Sequence, residues 1–296
     1  MTRAPLLLLA VLAAPAAVSA APCAPAPGAI CAGGEALDEA GLLALLKGAD
    51  IAILGERHDN PRHHEWQARL TEALAPGGLA FEMIPQEKED AANNARDLGE
   101  DLGEALDWAN SGWPDWAMYA PIFEAAPEAW IAGGGVPREA LMRSAQEGAA
   151  KAGGEALARY RLDERMPEDV AKDMIREQDE AHCGALPTAI LPGMVEAQQL
   201  RDAAFADAAL RLHEAGHRPV VFITGNGHAR TDRGSPLYLR RAAPEVTVVS
   251  VGLIEIPEGA DPAALEGGAP FDAVIYTEPF DRGDPCEAFL KSRGKD

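Results

Sequence analysis

The chain of 296 residues carries 47 Asp and Glu against 26 Lys and Arg, a formal charge of −21. So acidic a surface repels phosphate backbones and argues against a nucleic-acid partner. The length suits one large α/β domain or a domain with a sizeable insertion.

The amino terminus reads as an export signal. Met1-Thr-Arg3 is a short basic start, Leu6 to Ala17 is apolar but too short to span a bilayer comfortably, and Val18-Ser19-Ala20 is a small-x-small cleavage site. Removal of residues 1–20 after Ala20 would leave residues 21–296 as a single soluble domain, periplasmic or secreted. Pro22 directly before Cys23 fits a lipoprotein signal poorly, so no lipid anchor is expected. Four cysteines remain: Cys23, Cys31, Cys183 and Cys286. An even number in an oxidising compartment suggests two disulfides with three pairings open, and the spacing favours Cys23–Cys31 and Cys183–Cys286. His182 beside Cys183 leaves that pair a second reading as a metal or haem contact. No C-x-x-C is present, so neither a structural zinc nor a thioredoxin-like motif is supported.

Residues 21–34 form a loose leader rich in Pro, Gly and Ala. Glu35 to Lys47, with five leucines, predicts a short helix ended by Gly48. A strand follows at Ile51–Leu54, and Asn60-Pro61 opens a helix to about Leu74 whose apolar stripe is Trp66, Leu70, Ala73 and Leu74. A second strand is expected at Leu79–Met83, broken by Pro85. From there to about Gly216 only helical patterns are found, separated by Gly and Pro clusters at 133–137, 153–154, 184–187 and 192–193. This stretch, about 85–216, is expected to be a helical insertion. Its segment around Trp108, Trp113 and Trp116 reads as packed aromatics. Strands resume at Pro219–Thr224, Val246–Ile254 and Ala273–Thr277, giving an α/β fold with a mostly parallel central sheet flanked by helices.

Two strands end in the same way. Ile51-Ala-Ile-Leu runs into Gly55-Glu56-Arg57-His58, and Val220-Val-Phe-Ile-Thr runs into Gly225-Asn226-Gly227-His228. Open α/β sheets hold ligands at the carboxyl ends of their strands, so the two histidines are expected to meet in one crevice. Glu82 closes the second strand, where a buried carboxylate needs a partner, with Arg57 and Arg230 as simple ion-pair candidates. Glu56, His58, Glu82 and His228 suit either a divalent transition metal or a general acid/base pair. Helical phase directs His63 inward near the site, with His64 about a quarter turn away toward Gln67. Asn226 offers an amide donor, and Arg230 is able to grip a carboxylate or propionate. Gln198, Asp202 and Phe205 share a helical face with Arg201 beside them. They are either solvated or they floor the pocket and orient a histidine.

Gly55-Glu56-Arg57-His58-Asp59-Asn60-Pro61 with His63-His64 and Gln67, then Phe81-Glu82-Met83, Pro137-Arg138-Glu139, Gln198-x-x-Arg201-Asp202-Ala203 and Gly225-Asn226-Gly227-His228-Ala229-Arg230, with Asp232-Arg233-Gly234-x-Pro236, together resemble the ChaN family. Its members are exported haem-binding proteins within the broader Tiki/TraB superfamily. The resemblance implies an α/β core with a helical insertion, a link to haem or iron acquisition, and haem held between two subunits of a homodimer. Outer-membrane haem-uptake components would be partners. It also implies a Tyr as iron ligand, for which Tyr119 is preferred over Tyr160. The propionates would meet Arg230 or His63 and His64, with a His as the alternative to Tyr119 at the iron. Another branch of the superfamily contains metal-dependent peptidases with two Gly-x-x-His motifs and a Glu. Gly55, His58, Gly225, His228 and Glu82 match that pattern, so the alternative is a metal-dependent hydrolase using Glu56, His58, Glu82 and His228.

Overall fold

The structure is a computed structural model that describes residues 21–257, 259–260 and 270–292. The expected signal segment, residues 1–20, lies outside the described residues. Among these, eight strands make one sheet: β1 (Ile30–Ala32), β2 (Glu35–Leu37), β3 (Ile51–Glu56), β4 (Gly78–Pro85), β5 (Trp130–Gly135), β6 (Val220–Gly225), β7 (Val248–Glu255) and β8 (Ala273–Thr277). Their order across the sheet is β2-β1-β8-β7-β3-β6-β4-β5. From β8 to β5 every neighbouring pair is parallel, whereas β1 pairs antiparallel with both β2 and β8. The sheet is therefore mixed and mostly parallel.

The central strands are apolar without interruption because both faces are covered. Side chains alternate, and two cores result. Ala52, Leu54, Leu79, Phe81, Val221 and Ile223 pack one face against helices Glu39–Lys47, Pro61–Leu74 and Trp116–Glu124. Ile51, Ile53, Ala80, Val220 and Phe222 pack the other against helices Leu191–Glu214 and Ser235–Ala242. Full burial of each large side chain in these layers stabilises by roughly 1.5–3 kcal/mol.

Beyond Ile30–Ala32, which is β1 of the sheet and not part of a loose leader, two sequence expectations change. Residues 35–37 are β2 and not the first turn of a helix, which starts at Glu39 with Asp38 as its cap, the Asp38 carboxylate accepting from the Gly41 N–H. Gly33 and Gly34, at φ +58° and +85°, make the tight turn that folds β2 back on β1, a conformation glycine adopts without strain. The second change is β5, inside the stretch expected to hold helices alone. Its Gly133-Gly134-Gly135 run reads as a turn in the sequence, but the glycines answer to close approach. A Cβ on Gly133 would lie 2.3 Å from the Ile84 carbonyl oxygen, and one on Gly134 would lie 2.7 Å from the Phe205 ring. Both favoured disulfides, Cys23–Cys31 and Cys183–Cys286, are present.

The connections set the site. From β3 the chain passes through helix Pro61–Leu74 to β4 on one side of β6, and from β6 it passes through helix Ser235–Ala242 to β7 on the far side of β3. The two crossovers leave the adjacent pair β3 and β6 in opposite directions. Such a reversal opens a crevice beyond the carboxyl ends of the strands.

Candidate ligand-binding site

The twin strand ends face each other across this crevice, with Glu56 in register with Gly225. Each glycine makes room for the other motif. A Cβ on Gly55 would sit 2.4 Å from Asn226 Oδ1, and a Cβ on Gly225 would sit 3.0 Å from His58 Nε2. The spacing thus reflects two loops packed reciprocally against bare backbone.

Alternation sends the two carboxylates to opposite faces. Glu56 follows Ala52 and Leu54 toward the helix Pro61–Leu74 side and is buried at 2% exposure. Its Oε1 accepts from the Tyr119 hydroxyl at 2.7 Å and from His58 Nδ1 at 2.7 Å. Its Oε2 lies 3.2 Å from His64 Nδ1, while His64 Nε2 donates to the His58 carbonyl at 2.9 Å. Burial works against charging His58, but the Glu56 hydrogen bond and the nearby Glu82 charge outweigh it and push its pKa up to about 9. Burial, reinforced by the Glu56 charge, drives the Tyr119 hydroxyl far above its ordinary range, so it stays a neutral donor.

Glu82 follows Ala80 to the other face. Burial would raise its pKa, yet His228, His58, the Thr224 hydroxyl and the Gly225 N–H at 2.7 Å together hold it below the usual carboxylate range. His58 Nε2 is 3.6 Å from Glu82 Oε1, so His58 bridges both carboxylates. Beyond Glu82, His228 Nδ1 donates to Asp202 Oδ1 at 2.7 Å. Burial opposes protonation of His228, but the Asp202 and Glu82 charges raise its pKa. Burial also lifts Asp202 to about 6 against the pull of His228. Asp202 comes from helix Leu191–Glu214, as do Arg201 and Gln198, which Arg201 Nη1 contacts at 3.2 Å.

The remaining sequence candidates point elsewhere. His63 is fully buried behind the loop, where its Nδ1 accepts from the Arg57 N–H at 2.7 Å and its Nε2 meets Thr277 Oγ1 at 2.8 Å. Burial lowers its pKa to about 3. His63 turns inward as its helical phase expects, and the adjacent buried His64 is the one that meets the central carboxylate. Asn226 exchanges hydrogen bonds with the backbone of Leu253, serving as a strut to β7. Arg230 turns to Asp232 at 2.8 Å and toward Glu177 at 3.9 Å. Neither Arg57 nor Arg230 partners Glu82; Arg57 instead lies 3.9 Å from Asp59 and from Glu255.

A pocket of about 780 Å³ opens over the second half of the crevice, lined there by Glu82, Trp113, Phe205 and His228. Its walls add Val136, Leu141, Met142 and Met194 as apolar surface and Arg138, Arg201 and His182 as polar heads. Arg138 was legible only as part of a motif string, because the glycines ahead of it hid β5, at whose carboxyl end it follows. His182 carried one signal, its place beside Cys183.

A family model described as haem-binding uptake, Tiki superfamily, ChaN matches residues 42–239. The chain belongs to the ChaN family. Among solved structures it is similar to ChaN of Campylobacter jejuni, described as showing cofacial haem binding, with 20% identity, a TM-score of 0.61, and coverage of 83% of this chain and 95% of that one. Weaker likenesses are to the type III effector HopBA1 (TM-score 0.44, 14% identity, 81% and 93% covered) and to an erythromycin esterase in its open conformation (TM-score 0.40, 12% identity, 88% and 84% covered). No curated protein matches the chain.

The pocket combines an apolar wall, able to take a macrocycle, with arginines able to take propionates, so its lining fits a haem. The tyrosines do not line this pocket. Tyr119 and Tyr160 are at 0% exposure and Tyr238 at 1%, and Tyr276 lines a separate hollow with Gly28, Arg62 and Trp66. The divalent-metal expectation gains no support either. Among the described residues no group of three or more His, Cys, Asp or Glu is disposed to hold a metal ion. Glu56, Glu82 and Asp202 are each engaged by neighbouring donors, and His58 and His228 are tied to these carboxylates.

Proposed function

We propose that the chain is an exported haem-binding protein of haem or iron acquisition, that it takes haem into the pocket above His228, and that two copies close over it. The observation that carries this reading is the pocket itself, which places Arg138 and Arg201 on the same cavity as Leu141, Met142 and Met194. Each guanidinium can take a propionate in two parallel hydrogen bonds, and the macrocycle needs only apolar contact. Burial lowers the pKa of Arg201, though the guanidinium stays charged at neutral pH, so an entering carboxylate would satisfy a desolvated cation. Met142, 52% exposed on the rim, is apolar surface that a second subunit would cover. The carboxyl-end crevice of the sheet and the ChaN-family match both support the placement. Export rests on residues 1–20, and delivery would pass to or from outer-membrane haem-uptake components.

Titration of haem into the purified protein tests the reading. The expected result is a saturable Soret shift that is weakened in Arg138→Ala and further weakened in the double variant with Arg201→Ala, with sedimentation showing a larger species on loading. An unsaturable partition curve, the same in wild type and double variant, would overturn it.

A further inference from the structure

We infer that the hollow walled by Trp108, Trp113 and Trp116 is a second binding site, separate from the haem pocket, that takes a small quaternary ammonium cation. The three indoles line a cavity of about 680 Å³, a size usual for small-molecule sites. Trp113 also stands in the wall of the haem pocket, so the two spaces share one ring. Four carboxylates complete the second lining: Asp101, Glu104, Asp107 and Asp115. No Lys or Arg lines the cavity, and among the described residues none of the four acids forms an ion pair. Aromatic rings and uncompensated negative charge on one cavity are the two components of a cation-binding cage.

The difference between depth and rim selects the kind of cation. Trp108 is buried and Trp113 and Trp116 are half-buried, whereas all four acids are exposed, so the indoles form the inner wall and negative charge gathers at the mouth. The inner wall is fixed before any ligand enters. Trp108 Nε1 donates to the Pro114 carbonyl at 2.8 Å, and its ring meets that of Trp116 with centroids 5.1 Å apart. Trp116 lies against Gly103, where a Cβ would stand 3.0 Å from the indole Nε1. At the rim Asp101 and Asp115 accept from the Glu104 and Ala117 N–H groups as helix caps, and Asp107 accepts from Asn110 Nδ2 at 2.7 Å. A primary ammonium or a guanidinium would leave N–H donors unmet against the inner indoles, where the Pro114 carbonyl is already engaged by Trp108. A quaternary ammonium has no donors to satisfy. The ring quadrupoles attract its charge, its methyl groups take the apolar contact, and the rim carboxylates draw it in through a field that salt screens.

Calorimetric titration of choline, and of its uncharged carbon isostere dimethylbutanol, into the haem-free protein tests the assignment without depending on the haem reading. Choline should bind saturably and at least about tenfold more tightly than the isostere. In the triple variant Glu104→Gln, Asp107→Asn and Asp115→Asn, whose amide at position 115 still caps its helix, choline should weaken severalfold while the isostere is unchanged. Trp116→Leu should abolish choline saturation with the urea transition still cooperative; if that variant does not fold, the charge variant decides. Equal affinities for choline and its isostere, or choline binding unchanged in the charge variant, would make the hollow an apolar cleft with no preference for a cation and overturn the inference. Lack of saturable choline binding in wild type would overturn it as well.

Discussion

The two Gly-x-x-His ends are equal in sequence and unequal in use. Around Glu56 and His58 the polar groups are turned on one another: Tyr119, His58 and His64 surround a single carboxylate, and the ring of Trp113 lies edge-on to His58 at 4.9 Å. Around His228 the partners are fewer, Asp202 and Glu82, and the remaining side of the crevice is the large pocket. One motif closes the sheet end and the other lines a ligand space. The difference follows from the layer each meets. Helix Trp116–Glu124 brings a tyrosine and helix Pro61–Leu74 a histidine down onto Glu56, whereas helix Leu191–Glu214 presents Asp202, Arg201 and a row of alanines.

The largest test of this contrast is Glu56→Ala. It leaves the buried Tyr119 hydroxyl and the His58 imidazole without their common acceptor, and breaking such a buried group typically costs about 3–5 kcal/mol. Urea denaturation should show a loss in this range for Glu56→Ala, while Arg201→Ala on the pocket side should cost clearly less, because it removes a desolvated cation whose neutral hydrogen-bond partner is Gln198. Equal losses would erase the distinction between a structural and a ligand-facing half.

The glycines give a smaller asymmetry. A Cβ on Gly55 also meets the Val251 carbonyl oxygen at 3.1 Å, a backbone atom that cannot swing away, whereas the nearest atoms to a Cβ on Gly225 belong to the His58 ring. Overpacking of the first kind costs about 1–3 kcal/mol, so Gly55→Ala should lower the urea midpoint more than Gly225→Ala. Gly225→Ala should instead move the His58 ring resonances. A reversed order of midpoints would contradict the packing described for the two loops.

Much of this arrangement was legible in the chain. Strands β3, β4, β6 and β8 announce themselves because residues buried on both faces leave unbroken apolar runs, and the Asn60-Pro61 pair fixes the helix start through cap and ring geometry. What failed was local reading of glycine. Gly133-Gly134-Gly135 is a strand only because Ile84 and Phe205, distant in sequence, approach it too closely for side chains. The partners of the site residues were equally hidden. Nothing near Glu56 in sequence names Tyr119, and the helical phase that turns His63 inward does not tell which of two adjacent buried histidines reaches the carboxylate. The pocket walls come from Arg138, His182 and Met194, on three elements whose meeting depends on tertiary packing.

The two histidines behind and within the first motif should respond oppositely to pH. His63 is held neutral, with a folded pKa of about 3 against 6.5 in the unfolded chain. Its contribution is present above pH 6.5 and is lost as pH falls from there toward 3. His58, at about 9, contributes fully below pH 6.5, and that stabilisation is lost as pH rises through 9. Thermal melts should therefore fall on both sides of neutrality. His63→Gln should flatten the acid limb and His58→Gln the alkaline one, each leaving the other limb in place; an acid limb unchanged in His63→Gln would show that His63 is not a neutral histidine in the fold.

The smallest effect separates the two carboxylates that share His58. Glu56 makes the 2.7 Å hydrogen bond to Nδ1, whereas Glu82 sits 3.6 Å from Nε2 and acts through charge alone. Glu82→Gln retains an oxygen able to accept from the Thr224 hydroxyl and the Gly225 N–H, so the strand end should keep its shape. Proton NMR of the His58 ring should then show a pKa below about 9 in Glu82→Gln and a lower one still in Glu56→Gln, because the latter loses a charge and weakens a direct hydrogen bond. If the larger drop came from Glu82→Gln, the imidazole would belong electrically to the pocket side. His58 would then be part of the ligand-facing half, and the line between the two motif ends would have to be drawn through Glu56.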